Sequence, residues 1–156
     1  MPTWPPPEYS VHVTFRAPLR FVYRWCTDYR SDDGKRCGEP FTRKVLERGP
    51  RQIVLQDLWR AKGRWLLNQN RTTLRPPDRW HVDSSGTLRT LSIDYTLREV
   101  SGGRTRLDLR IRRRPTEIYP EQPSRRAYER DLTQMWKNFA LSLERDCRAT
   151  LTKRPR

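Results

Sequence analysis

The sequence predicts an α+β domain in which a strongly bent antiparallel sheet of about six to seven strands packs on one long C-terminal helix, with one or two short helices after the first strand. Three observations carry this reading. Between residues 41 and 115, successive segments of strand length are separated by Gly, Pro and Ser turn signals, without the alternating helices that a parallel sheet requires. Before them, Val11, Val13 and Phe15 alternate with His12, Thr14 and Arg16, the pattern of a half-buried strand. After them, Tyr128, Leu132, Met135, Trp136, Phe139 and Leu143 fall at three- and four-residue steps, which gives an amphipathic helix of roughly 25 residues.

The elements follow in order. Residues 1–7, MPTWPPP, read as an extended proline-rich arm, residues 8–150 as a single domain, and residues 151–156 as a basic tail. The first strand ends at Ala17-Pro18. Pro18 suits the first turn of a short helix, and Leu19, Val22, Trp25 and Cys26 share one side of LRFVYRWCTD before the polar stretch YRSDDGKRCGEP. Then come FTRKVLER, RQIVLQDLWR after Gly49-Pro50, RWLLNQNRTTL after Lys62-Gly63 and DRWHVD after Pro76-Pro77. TLRTLSIDYTLREV follows an expected turn at Ser84-Ser85-Gly86, and RTRLDLRIRRRP follows Ser101-Gly102-Gly103. In this last strand Leu107, Leu109 and Ile111 should face the helix, while Arg106, Asp108, Arg110 and Arg112 face solvent, and the strand should end in Arg112-Arg113-Arg114. Ser124 is placed to cap the long helix.

At 156 residues the chain has room for one ordinary core, and its six Trp, six Tyr and four Phe sit in regular patterns despite a hydrophobic fraction of only 34%. The net charge of +15 comes mainly from 28 Arg against 5 Lys. Those arginines are dispersed, which a GC-rich genome or a heat-adapted surface explains as well as a binding site does. Weak attraction to acidic surfaces follows from the charge. A dedicated nucleic-acid interface would need exposed aromatics among the basic residues, or a recognition helix, and the half-buried rhythm of RTRLDLRIRRRP argues against one. The start lacks the pattern of a secretory signal, and no apolar run approaches the ~20 residues of a membrane span, so the expectation is a soluble cytoplasmic protein. Cys26, Cys37 and Cys147 match neither a disulfide framework nor a zinc motif; a Cys26–Cys37 bridge would suit a heat-adapted organism, and three idle thiols are the simpler expectation.

The order of elements resembles the START-like superfamily of helix-grip proteins, which includes the major birch pollen allergen, polyketide cyclases and lipid-transfer domains. The resemblance rests on VHVTFRAPLRFVYRWCTD, where a strand runs into Ala17-Pro18 and an aromatic helix closing in Thr27-Asp28, on the SGGRTRLDLRI turn and strand, and on the late aromatic helix. It covers about residues 8–150. It implies a sheet wrapped around the long helix, with a cavity between them for an apolar or amphipathic molecule. Fold alone does not choose among carriers, cyclases and other members.

Candidate cavity walls come from three elements. The helix offers Tyr128, Leu132, Met135, Trp136 and Phe139. Alternation points Leu91, Ile93, Tyr95 and Leu97 the same way, and likewise Leu107, Leu109 and Ile111. Trp59, Trp65 and Leu67 are assigned to the same lining. In RWLLNQNRTTL, Asn68 and Asn70 share a face with Leu66, Thr72 and Leu74, opposite Trp65, Leu67, Gln69 and Arg71, so amides lie beside apolar residues on either face; the assignment sends Asn68 and Asn70 to solvent. Asp57, His81 and Asp94 are the candidates for acid–base chemistry, and a buried Asp57 would need a partner such as Arg or Tyr. There is no catalytic triad order, phosphate loop or nucleophile elbow, and no metal or other cofactor is expected. The expected function is binding or transport of a small hydrophobic or amphipathic ligand. The alternatives are a cyclase or dehydratase using the same cavity, and a basic-surface module that docks on nucleic acid or acidic lipid. Oligomeric state is not legible.

Overall fold

A computed structural model of the chain describes residues 8–61 and 63–153. The arm expected at residues 1–7, and residues 154–156 of the expected tail, lie outside the described residues. In chain order the elements are β1 (Glu8–Phe15), α1 (Leu19–Thr27), α2 (Asp33–Cys37), β2 (Phe41–Arg48), β3 (Gln52–Ala61), β4 (Arg64–Arg75), β5 (Arg79–Gly86), β6 (Arg89–Val100), β7 (Arg104–Pro115) and α3 (Arg125–Thr152). The strands form one antiparallel sheet in the order β1-β7-β6-β5-β4-β3-β2. Strands β2 to β7 therefore form a continuous meander, and β1 adds to its last strand. Helices α1 and α2 carry the chain from one edge of the sheet to the other. At about 1.5 Å per residue, α3 extends for about 42 Å, long enough to cross the sheet. Ser124 caps it, its hydroxyl accepting from the Ala127 N–H at 3.2 Å.

One half of the sheet is a closed core. Tyr9, Val11 and Val13 of β1 stand opposite Ile111, Leu109 and Leu107 of β7, and all six are almost fully buried. Trp136, Ala140, Leu143 and Cys147 of α3 join them in a single cluster. Burial of this kind contributes roughly 25 cal/mol per Å² of apolar area and dominates the stability of the domain. The other half, β2 to β5, carries buried polar side chains on its inner face: Asp57, Asn68, Asn70, Thr72 and Ser84. Helices α1 and α2 are tied to α3 by polar contacts. The Trp25 indole N–H and the Arg36 guanidinium both donate to Asp146 Oδ2, and the Asn138 amide donates to the Cys37 carbonyl. Cys26, Cys37 and Cys147 are all free thiols.

Two local expectations are corrected. Ser84-Ser85-Gly86 does not turn; it continues β5 in register with Asn70, Gln69 and Asn68. Gly86 permits this because a Cβ there would collide with Asn68 Oδ1 and crowd the Leu67 carbonyl oxygen. The second correction concerns β7, which runs on to Pro115 and turns Arg113 inward at 9% exposure. Its Nη1 donates to the Glu121 carbonyl and to Gln122 Oε1 and the guanidinium lies over the Tyr128 ring, which compensates part of the burial without a carboxylate, while its Nε is buried without a partner.

Candidate functional site

Between the polar half of the sheet and the N-terminal half of α3 lies a cavity of about 320 Å³. That is the small end of the ~300–1,000 Å³ range of ligand pockets. Tyr128, Leu132, Met135, Trp136 and Phe139 of α3 form one side, and Leu91, Ile93, Tyr95, Leu109 and Trp59 contribute apolar wall from the sheet. Trp80 stacks on Tyr95 with ring centroids 4.7 Å apart, and Tyr95, Trp136 and Phe139 continue the aromatic chain at 5.9 and 5.2 Å. Interlocked rings of this kind give the cavity a wall of fixed shape.

The structure separates the expected lining residues into three groups. Those just named line the cavity. Leu97, Leu107 and Ile111 point inward as expected but are buried in the closed core and do not reach the cavity. Trp65 and Leu67 face solvent, at 62% and 43% exposure, which corrects their assignment. The cause is register. Asp57, Leu55 and Ile53 of β3 stand opposite Asn68, Asn70 and Thr72 of β4, so the inward face of β4 is Leu66, Asn68, Asn70 and Thr72; with a period of two, its neighbours must point outward. Outside, the Arg60 guanidinium lies 5.4 Å from the Trp65 ring centre. Of the acid–base candidates only Asp57 lines the cavity. His81 and Asp94 sit on the outer face, paired with each other at 2.7 Å (Nδ1 to Oδ1).

The polar end of the cavity is built on Arg43, which sequence reasoning missed. Its Nε and Nη2 donate to Asp57 Oδ1 and Oδ2 at 2.8 and 2.9 Å, and its Nη1 donates to Asp33 Oδ2 at 2.6 Å. Asn70 Nδ2 adds a bond to Asp57 Oδ2 at 2.8 Å. Burial alone would lower the Arg43 pKa, but the bonds and charges of the two carboxylates outweigh it and hold the pKa above its ordinary value. The Arg43 guanidinium is also covered by the rings of Tyr29 and Phe41. Tyr29 takes a left-handed backbone, φ 40°, uncommon for a residue with a side chain, and its hydroxyl accepts from Thr72 at 3.1 Å. Burial raises the phenol pKa of Tyr29, Tyr95 and Tyr128, so all three remain protonated donors. Arg89, at the start of β6, completes the wall and donates to Asn68 Oδ1 at 3.2 Å.

One signal for the Arg43–Asp57 pair was present in the sequence. Arg43 shares a face with Phe41 and Val45, Asp57 shares one with Leu55 and Trp59, and the two stand equidistant from Pro50 at the hairpin turn. Opposite charges at matching inward positions of a hairpin are expected to pair. Arg89 carried no such signal, because among the described residues it has no partner of opposite charge to betray it.

A curved antiparallel sheet closed over a long C-terminal helix, with short helices after the first strand, is the START-like helix-grip fold. Solved structures of the same architecture include a START superfamily protein from Mycobacterium smegmatis, with TM-score 0.66 and 13% identity over 92% of this chain and 98% of that one. An aromatase/cyclase from Streptomyces sp. R1128 matches with TM-score 0.70 and 15% identity over 89% and 94%. The protein Ara h 8.0201 matches with TM-score 0.67 and 12% identity over 88% and 97%. At such identities the likeness is one of fold. No family model matches the chain, and no curated protein matches it significantly. Among the described residues, no helix is long and apolar enough to cross a membrane.

Proposed function

We propose that this protein binds a small hydrophobic or amphipathic molecule in the cavity between its sheet and α3, carrying or shielding it. The observation that supports this reading is the cavity itself: about 320 Å³ remains open between aromatic and aliphatic walls that a purely structural core would have closed. Its polarity is divided, with an apolar side under α3 and a polar end on β2 to β4, which suits an amphipathic guest. Acid–base catalysis in the same cavity is the weaker reading. Both carboxylate oxygens of Asp57 are committed to Arg43 and Asn70, so Asp57 serves as an anchor and not as a proton acceptor.

Native mass spectrometry of the purified protein, followed by solvent extraction, tests the proposal together with titration of the neutral dye phenylnaphthylamine. A bound small molecule, or saturable dye binding abolished by Leu132→Trp, is expected. A bare protein mass combined with no saturable dye uptake would sink the reading.

A further inference from the structure

The cavity holds two arginines in opposite states. Arg43 is neutralised by Asp57 and Asp33. Arg89 makes one hydrogen bond, to an amide oxygen, and among the described residues it has no carboxylate partner. It shares the inward face of β6 with Leu91, Ile93 and Tyr95. Although part of the side chain is accessible, its neighbours crowd it enough that burial lowers the guanidinium pKa, and the charge of nearby Arg113 adds to this. It nonetheless remains charged at any physiological pH. Arg113, inward-facing on the adjacent strand, is likewise bonded only to neutral oxygens. Asp57, the carboxylate in whose field Arg89 lies, has both oxygens occupied by Arg43 and Asn70 and cannot serve it as well.

The cavity that Arg89 lines also holds unused donors. The Trp59 indole N–H is buried without an acceptor, and the phenols of Tyr95 and Tyr128 border the same space as protonated donors. Of the acceptors, Asp57 is engaged by Arg43 and Asn70, Asp33 by Arg43, and Asn68 Oδ1 by Arg89 itself, while the half-buried Glu39 and the exposed Asp131, which also border the cavity, make no bond to Arg89. A cationic wall of spare donors is complete only when an acceptor, preferably an anion, enters.

Resting on the ligand-binding reading above, we infer that the cavity's ligand is an acid: an apolar molecule with a single carboxylate, or a comparably acidic enol, which pairs with Arg89 while its apolar body lies under α3. A charged guanidinium in a partly desolvated wall is costly without a counter-ion, and the ligand supplies it. Specificity follows from the same arrangement. A neutral analogue with the same tail leaves Arg89 unpaired, and a base meets like charge.

Calorimetric titration with decanoate and decanol, which share a tail and differ in head group, tests this. The wild type is expected to bind decanoate at least tenfold more tightly. Arg89→Gln or Arg89→Met should abolish that preference, so that the two probes bind within about twofold of each other. Arg110→Gln, on the outer face, should leave it intact, which separates a specific contact from general attraction to a basic protein. Equal binding of the two probes by the wild type overturns the acid proposal without any variant, and so does an unchanged preference in the Arg89 variants; in both cases the cavity reading stands. Binding of neither probe also overturns the acid proposal, and the cavity reading is then decided by the dye titration and the native mass.

Discussion

Arg43 grips Asp57 with both arms of its guanidinium, Nε to Oδ1 at 2.8 Å and Nη2 to Oδ2 at 2.9 Å, directly across the ladder between β2 and β3. Neither side chain has much access to water, at 12% and 5% exposure. A pair of this kind is retained for what it positions. It fixes the polar end of the cavity, and through Nη1 it holds Asp33 and the start of α2 against the sheet.

Asp57→Asn should therefore be strongly destabilising. The substitution leaves the Arg43 charge with one carboxylate instead of two, and breaking a buried pair from one side typically costs about 3–5 kcal/mol. Urea unfolding followed by far-ultraviolet circular dichroism reads the loss. A midpoint unchanged from wild type would show that Arg43 is adequately neutralised by Asp33 alone.

Gly86→Ala should also destabilise, because a Cβ at this position meets Asn68 Oδ1 and the Leu67 carbonyl oxygen. Overpacking of this kind costs about 1–3 kcal/mol. The side chain of Asn68 can be removed but the backbone of Leu67 cannot. Adding Asn68→Ala should thus recover part of the loss in thermal unfolding and not all of it, whereas complete recovery or none would contradict the close approach.

The facing of β4 can be checked by a matched pair. Leu66 is buried at 7% exposure, so Leu66→Ala should cost about 2–5 kcal/mol. Leu67, its neighbour, is at 43%, and Leu67→Ala should stay within about 0.5 kcal/mol of wild type. Denaturant midpoints measure both, and a reversed order would mean that β4 sits one residue out of register.

This strand also shows where sequence reasoning reached its limit. The long helix, the meander and the inward set Leu91, Ile93, Tyr95 and Leu109 were legible because their periodicity is unopposed by anything on the other face. In RWLLNQNRTTL both faces mix apolar and amide groups, so hydrophobicity pulls Trp65 and Leu67 inward while the ladder with β3 turns Asn68 and Asn70 inward. Tertiary register decided the matter, and no local pattern records it. Arg113 was misread for a related reason: an arginine run looks like a strand end unless one knows that Gln122 and Tyr128 wait on the inner side to receive it. The cavity inherits both effects, its apolar side readable from periodicity and its polar end set by pairings between distant strands.

On the outer face, His81 makes the stability of the domain depend on pH. Its Nδ1 lies 2.7 Å from Asp94 Oδ1 and its Nε2 3.0 Å from Asp83 Oδ1, with Ser92 Oγ at 3.4 Å from the same nitrogen. Partial burial works against the charged ring, but the hydrogen bonds and charges of the two aspartates outweigh it and raise the pKa above its ordinary value. The folded state then holds the proton more tightly than the unfolded chain, whose histidine titrates near ~6.5. The stabilisation is fully present below that pH and is lost as pH rises through the raised folded value. Unfolding free energies measured from pH 5.5 to 8.5 should fall as the pH rises above the ~6.5 reference for the wild type. His81→Gln should remove that fall. Asp94→Asn should shrink it, since the imidazolium then keeps only Asp83. A wild-type profile that rises over this range, or one unchanged by His81→Gln, would show that the two aspartates do not hold the ring in its charged form.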